Sequence, residues 1–431
     1  MALTQPKSDA AEVLLAAYPA PLEQGQWADT ARKAALARFR AEGAPGRRDE
    51  YWKFTNPSLL TAGEVAPAGL LDTDEAPVFE ATDKLLLVFV DGVFIPELSG
   101  DLALEGVRIE HLSEATAKDI HWAKDVYGVL EADGQNPVPR PLAALNTAVA
   151  TEGFLFHVTG KVSKPVCIRY VRDAEDADAV VHHVVKLDEG ADITILENGP
   201  AAARFNHVLE VDVADGASFH HVRAQGRDHK RMAATHLFAR LGRESSFKSF
   251  TLTVNGQLTR NECVISFNGD DAHATVAGAS AGDGGDYHQD DTVFVTHDAL
   301  NCESRQVFKK VLRNGATGVF QGKILVKEDA QKTDGYQVSH GLLLDDDCNF
   351  LAKPELEIYA DDVACSHGST CGGLDETAMF YLVSRGVPEI EAQDMLILAF
   401  LDDAIQEIED ESIAEDLRGR MKDWMERHRG Q

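Results

Sequence analysis

The chain lacks the features that would place a protein in a membrane or outside the cell. Nowhere in its 431 residues does an apolar run reach the roughly 18 residues that a bilayer-spanning helix needs. The longest candidate, Met395 to Leu401, is far too short and is flanked by Asp394 and Asp402. The opening residues, MALTQPKSDAAEVLLAAYP, show no basic start leading into an apolar stretch, so no secretory leader is expected and the expected location is cytoplasmic. Cysteine is scarce. Six residues, at 167, 263, 302, 348, 365 and 371, do not make a disulfide framework in so long a chain. None forms a CxxC pair, which counts against a self-contained zinc or cluster site. The pattern GxxxxGK[ST] is absent, so any ATP hydrolysis must come from another polypeptide. Positive charge is also short: 41 Lys and Arg stand against 71 Asp and Glu, a net charge of -30. That balance argues against nucleic acid and anionic membranes as partners, and predicts that a stable protein partner offers basic surface.

Three textures follow one another along the chain. Over 8–41, Val13, Leu14, Ala17 and then Ala34, Leu36, Ala37 and Phe39 recur at helical spacing, until Gly43, Pro45 and Gly46 end the segment. Residues 61–80, rich in Ala, Pro and acids, read as a linker. From Leu85 the texture turns to short β-type runs ending in turns: 85–90 at Asp91-Gly92, 180–187 at Glu189-Gly190, 208–213 at Asp215-Gly216. The turns LDEGA (187–191) and VADGA (213–217), and another near Gly242, recur at about 26-residue intervals. The strands between them, HHVVKL, NHVLEV, THLFARL and NECVISF, resemble one another. A coil of this size cannot bury its apolar face alone, but stacked coils share one core. This predicts a mainly β chain with a parallel β-helix, and leaves a β-sandwich as the competitor. After Gly373 the chain is helical again. Ile390, Ile397, Leu401, Ile405 and Ile408 share one stripe, in a region from 386 to 417 without Lys or Arg. Such a helix is either a solvated face or a docking surface.

Two segments carry a resemblance. EYWKFT (50–55) and the long run KTDGYQVSHGLLLDDDCNFLAKPELEIYADDVACSHGSTCGGLDETAMFYLVSRG (332–386) resemble the SufB/SufD superfamily. The pattern ADDVxCSHG…LD…FYLxSRG is similar to its SufD branch; the SufB branch tends to carry a Glu-His-Glu type segment where Ser366-His367-Gly368 stands. Cys348 and Cys371 depart from the pattern, which more often has a small and an apolar residue there. The resemblance implies a helical N-terminal domain with linker (1–80), a right-handed parallel β-helix core (81–369) and a C-terminal helical domain (370–431). It further implies a scaffold subunit and not an enzyme, working in iron–sulfur cluster assembly with a SufB-like paralogue and a SufC-like ABC ATPase, and self-associating when isolated. The cofactor implied is a transient iron–sulfur cluster or iron held by the complex. A flavin is left open and no residue pattern supports one. On this reading the C-terminal helices, with Ile397, Leu401 and Ile405, dock the ATPase.

Cys365 and His367 are the sharpest chemical pair. On a strand, positions two apart project to one face, and thiolate and imidazole both bind ferrous iron. The residues alone favour a small buried Cys beside a hydrogen-bonded His over a pair of iron ligands. The resemblance makes both candidate cluster ligands at the SufB-like interface, with further ligands supplied by the partner. His183, His207 and His236 fall at similar places in successive strands and suggest a histidine ladder, structural or metal-binding. Asp345, Asp346, Asp347, Asp361 and Asp362 are expected in solvated turns; the rival they raise is a glycoside-cleaving β-helix with two flanking acids. A Cys–His hydrolase is the other rival, and it lacks an orienting third group.

Overall fold

A computed structural model describes residues 7–19, 25–70, 76–226 and 230–428. Two helices open the chain, α1 (Lys7–Leu15) and α2 (Gln26–Glu42). Then come β1 (Leu85–Val90), β2 (Val93–Phe94), β3 (Val107–His111), α3 (Leu112–Thr116), α4 (Val129–Asp133) and α5 (Pro141–Val149). The regular part begins with β4 (Phe154–Val158), β5 (Val166–Val171), β6 (Asp178–Leu187), β7 (Asp192–Asn198), β8 (Arg204–Val213), β9 (Ser218–Gln225), β10 (Met232–Leu241) and β11 (Ser246–Val254). It continues through β12 (Leu258–Phe267), β13 (His273–Asp283), β14 (His288–His297), β15 (Glu303–Arg313), β16 (Thr317–Val326), β17 (Asp334–Leu343), β18 (Asn349–Ile358) and β19 (Ala364–Gly372). Helices α6 (Glu376–Ser384), α7 (Glu389–Ile405) and α8 (Glu411–Arg427) close the chain.

Odd and even strands separate into two sheets, one running β19-β17-β15-β13-β11-β9-β7-β5-β1-β2 and the other β18-β16-β14-β12-β10-β8-β6-β4-β3. Each regular strand pairs in parallel with the strand one coil away, the arrangement of a parallel β-helix and not of a sandwich. Leu187, Val213, Leu241, Phe267, His297, Val326 and Ile358 stand in one column. Phe154, Leu187, Phe219, Phe247 and Phe267 belong to the core between the sheets. Helices cover both outer faces. Leu14, Phe39, Trp52 and Leu145 lie against Met232 and Leu258 of the even sheet, while Leu401, Leu417 and Trp424 share a cluster with Leu252, Val307 and Val311 of the odd sheet. Strands buried on both faces read as near-continuous apolar runs, which is why β8 and β10 are buried at nearly every position.

At one corner of each coil a residue adopts the left-handed region: Gly190, Gly216, Glu244, Asp271, Asn301 and Lys332, with φ between 54° and 67°. Each donates its amide to a carbonyl of the next coil's corner, as Gly190 does to Asp215 and Asn301 to Gln331. Glycine takes this conformation without strain, so the first two corners are conspicuous in sequence and the later ones, carried by other residues, are not.

Two expectations change. The strand texture expected from residue 85 onward is interrupted at 112–149 by α3, α4 and α5; Leu112, Tyr127, Leu130 and Ala143 pack with Val184, Val208 and Phe238 on the outside of the even sheet. The three histidines do not share one column: His183 aligns with Leu209, His207 with Val181 and Thr235, and His236 with Val208, although the His183 and His207 rings come within 5.4 Å of each other. The matching strand ends Leu187, Val213 and Leu241 set the register, which displaces the look-alike strings by two residues between His183 and His207 and by one between His207 and His236.

Three buried histidines are held neutral. Burial pushes His183 down to about 3, and His236 and His297 down to about 4. The unfolded chain protonates such groups below about 6.5, the folded chain only near these lower values, so their contribution is lost as pH falls from about 6.5 towards 4. His297 stacks on Phe267 and lies 2.8 Å from the Ser304 hydroxyl. Between pH 7 and pH 5 the natural chain should therefore lose on the order of 2 kcal/mol more stability than a His297→Leu chain. Parallel denaturation curves at the two pH values measure this difference, and equal losses would contradict it.

Candidate functional site

β19 is the last strand of the odd sheet; among the described residues it pairs only with β17, and no further coil covers it. β18 ends the even sheet in the same way, pairing among the described residues only with β16. The solenoid thus finishes in two strand edges with unused backbone groups, the usual template for pairing with another chain.

On β19, Cys365 and His367 fall on one face. Cys365 ends the column Ile193–Phe219–Phe247–Ala274–Ser304–Gly335, and His367 ends the column Ile195–His221–Ser249–Val276–Gln306–Gln337. Both columns run through the interior. Cys365 is half-buried against Ile324, Val326 and Ala360, and burial pushes its thiol up. A Cβ on Gly335 would lie 3.1 Å from its sulfur, so Gly335 provides the space the thiol occupies. His367 is exposed. Below it, the Gln337 amide donates to Gln306 at 2.9 Å, and both glutamines are fully buried. The Gln337 side chain fills the space left by Gly322 across the lumen, where a Cβ would come within 1.9 Å of it. Ser369, on the same face, lies 2.7 Å from the Ser339 hydroxyl. Cys371 completes the face, but six residues along a strand is about 20 Å, too far to share an ion with Cys365. The strand therefore offers two neighbouring ligand groups at an open end, fewer than a cluster needs.

The donors that lie close enough together to hold an ion within the described residues are elsewhere. Asp345, Asp347 and Cys348 sit in the turn between β17 and β18, with both carboxylates exposed as expected of turn residues. Asp345 accepts the Asn314 amide at 2.7 Å, a turn-forming contact.

Sequence reasoning missed a charged cluster deeper in the lumen. Glu197 accepts from the Tyr170 hydroxyl at 2.8 Å and from Arg223 at 2.7 Å, and lies 2.7 Å from His221 Nε2 and 3.3 Å from His207 Nε2. Burial pushes this carboxyl up, but Arg223 and the two imidazoles outweigh it and hold it well below the usual carboxylate range. The signal was available only as column alignment: His221 stands five coils below His367 in one inward column.

The expected docking residues require a correction. Ile397 is 4% exposed and Leu401 and Ile405 are fully buried, because α7 lies on β13 and β15 and spends its apolar stripe on the chain's own sheet. They cannot meet a partner. The exposed apolar side chains of this region are Phe380, Tyr381, Val383, Ile390 and Met395. They occupy α6, which buries no residue, and the first turns of α7. Among the described residues no helix is long and apolar enough to cross a membrane.

Residues 170–400 match the SufBD core domain of SUF-system FeS cluster assembly. The chain is 28% identical over 402 residues to the iron–sulfur cluster assembly protein SufD of Escherichia coli, covering 90% of each chain. It is 26% identical over 382 residues to SufD of Bacillus subtilis, covering 85% of this chain and 86% of that one. Similarity to the chloroplastic protein ABCI7 of Arabidopsis thaliana is 26% over 408 residues, 88% of this chain and 82% of that one. The structure defines a parallel solenoid with helices on both faces, and these matches name iron–sulfur cluster assembly proteins. The chain belongs to the SufB/SufD family, and its similarity is to the SufD members.

Proposed function

We propose that the chain is the SufD-type scaffold subunit of an iron–sulfur cluster assembly complex and has no turnover of its own. It pairs through the open end of its solenoid with a SufB-like paralogue and lends His367 and Cys365 to a cluster site that the partner completes. The observation that carries this reading is the position of those two side chains: one inward face, last strand, no covering coil. The iron and sulfide are cargo, assembled on the complex and passed on. Of the three segments 1–80, 81–369 and 370–431, the middle one is the scaffold core and the last also serves a SufC-like ATPase.

The docking face for that ATPase is α6 with the start of α7. Phe380 is 75% exposed and Tyr381 56%, an apolar pair that supports nothing in this chain. Arg385 lies over the Tyr381 ring, 5.1 Å from its centroid. Replacing Phe380 with Asp should weaken ATPase binding about 30-fold, the effect of removing an interface anchor worth about 2 kcal/mol, without altering thermal unfolding. Calorimetry with the purified ATPase is the test, and unchanged affinity would move the docking face elsewhere. Truncation after Gly386 is unsuitable, because it would uncover the apolar face of the odd sheet.

A further inference from the structure

EYWKFT carries part of the sequence resemblance, yet its hydrogen bonds and ion pairs do not reach β19. Its contacts run along the outside of the even sheet. The Tyr51 carbonyl accepts from Arg260 Nη1 at 2.9 Å and Gln321 Nε2 at 3.0 Å. The Arg260 guanidinium lies over the Trp52 ring at 4.2 Å. The Thr55 hydroxyl donates to Asp290 at 2.5 Å and is fully buried. These contacts fix the segment to β12, β14 and β16. Its leading residues reach one strand further. Glu50 lies 2.7 Å from the Lys353 ammonium, which sits 3.8 Å from the Tyr51 ring centroid, and the Tyr51 hydroxyl donates to Glu355.

β18, which carries Lys353 and Glu355, needs such support. It has a strand on one side only, Pro354 lacks an amide hydrogen, and its lumen-facing Ala352 and Leu356 are only half-buried for want of another coil. An edge strand with so little apolar cover opens at low local free energy. We propose that residues 50–55 are a latch: anchored in the buried charges of β12 and β14, it grips the outward face of β18 and holds that edge in the register at which a partner strand pairs. These are positioning residues, and the proposal rests on pairing through the solenoid end.

The test compares the full natural chain with the double variant Glu50→Gln, Tyr51→Phe, and separately with Lys353→Gln. Glu50 is exposed and the phenylalanine keeps the ring, so the anchors to Arg260 and Asp290 remain. Amide hydrogen exchange of the isolated chains reads the latch, and affinity for the SufB-like subunit reads its consequence. Exchange at 349–358 should quicken about tenfold in both variants while β12 and β14 exchange as before, and Kd should rise about tenfold. Natural exchange at 349–358 would overturn the latch. Faster exchange with unchanged Kd would overturn its role in positioning the edge. If the natural chain does not bind the SufB-like subunit at all, the pairing reading fails, and the positioning role with it, while the exchange comparison still decides whether the segment holds β18.

Discussion

His367→Ala is expected to remove most of the iron and acid-labile sulfide recovered with the anaerobically assembled complex, while folding and partner affinity stay close to natural. The imidazole is exposed on an edge strand, so its removal opens no core cavity and unpairs no buried charge; a stability change within about 0.5 kcal/mol follows. On the proposed reading, what is lost is a nitrogen ligand beside Cys365 at a site to which this chain lends two groups, and losing one of two leaves a single attachment. Cys365→Ser should fall in the same direction with a small cost in stability, because the thiol also packs against Ile324. Iron and sulfide analysis together with thermal melting separates the two effects. Natural iron content in the His367→Ala complex would make the residue structural.

Arg260→Ala is expected to be the most damaging single change to the fold. This guanidinium is fully buried. It donates to Glu262 at 2.7 Å, to Asp290 at 2.5 Å and to the Tyr51 carbonyl, and stacks on Trp52. Burial alone would lower its pKa, but Asp290 and Glu262 raise it. In return, although burial raises Glu262, Arg260 and Arg140 hold it down at about 2. Removing the arginine leaves Asp290 without its cation and Glu262 with Arg140 alone, at 2.8 Å. Breaking a buried ion pair from one side typically costs about 3–5 kcal/mol, a large share of a domain's stability. Denaturant unfolding should show that loss together with release of residues 50–55. A loss below about 1 kcal/mol would mean that the network contributes little.

Stacked coils were legible because strand ends and glycine corners repeat, as in LDEGA and VADGA. Legibility faded after Gly216, where Glu244, Asp271, Asn301 and Lys332 take the left-handed corner that glycine would have advertised. The histidine column failed for a related reason: similar strings were aligned by composition, whereas register follows the strand ends. Cys365 and His367 were found together because alternation along one strand is a local property. The Gln306–Gln337 column beneath His367 and the Glu197 cluster join residues whole coils apart, which no local pattern reveals. Ile397, Leu401 and Ile405 were correctly seen as one apolar stripe. Sequence alone could not say whether that stripe faces a partner or, as here, the chain's own odd sheet. The exposed apolar pair that does stand free, Phe380 and Tyr381, lies within FYLVSRG, where the sequence resemblance was noted but no surface role was assigned.

The most direct test of the central claim is pulsed electron paramagnetic resonance on the reduced cluster-loaded complex, with ¹⁵N-histidine introduced into this chain only. A ligand nitrogen from His367 predicts a strong ¹⁵N hyperfine coupling to the cluster that disappears in His367→Ala. A fully assembled, paramagnetic cluster with no such coupling in the natural complex would contradict the assignment of the solenoid's open end as the site this chain shares.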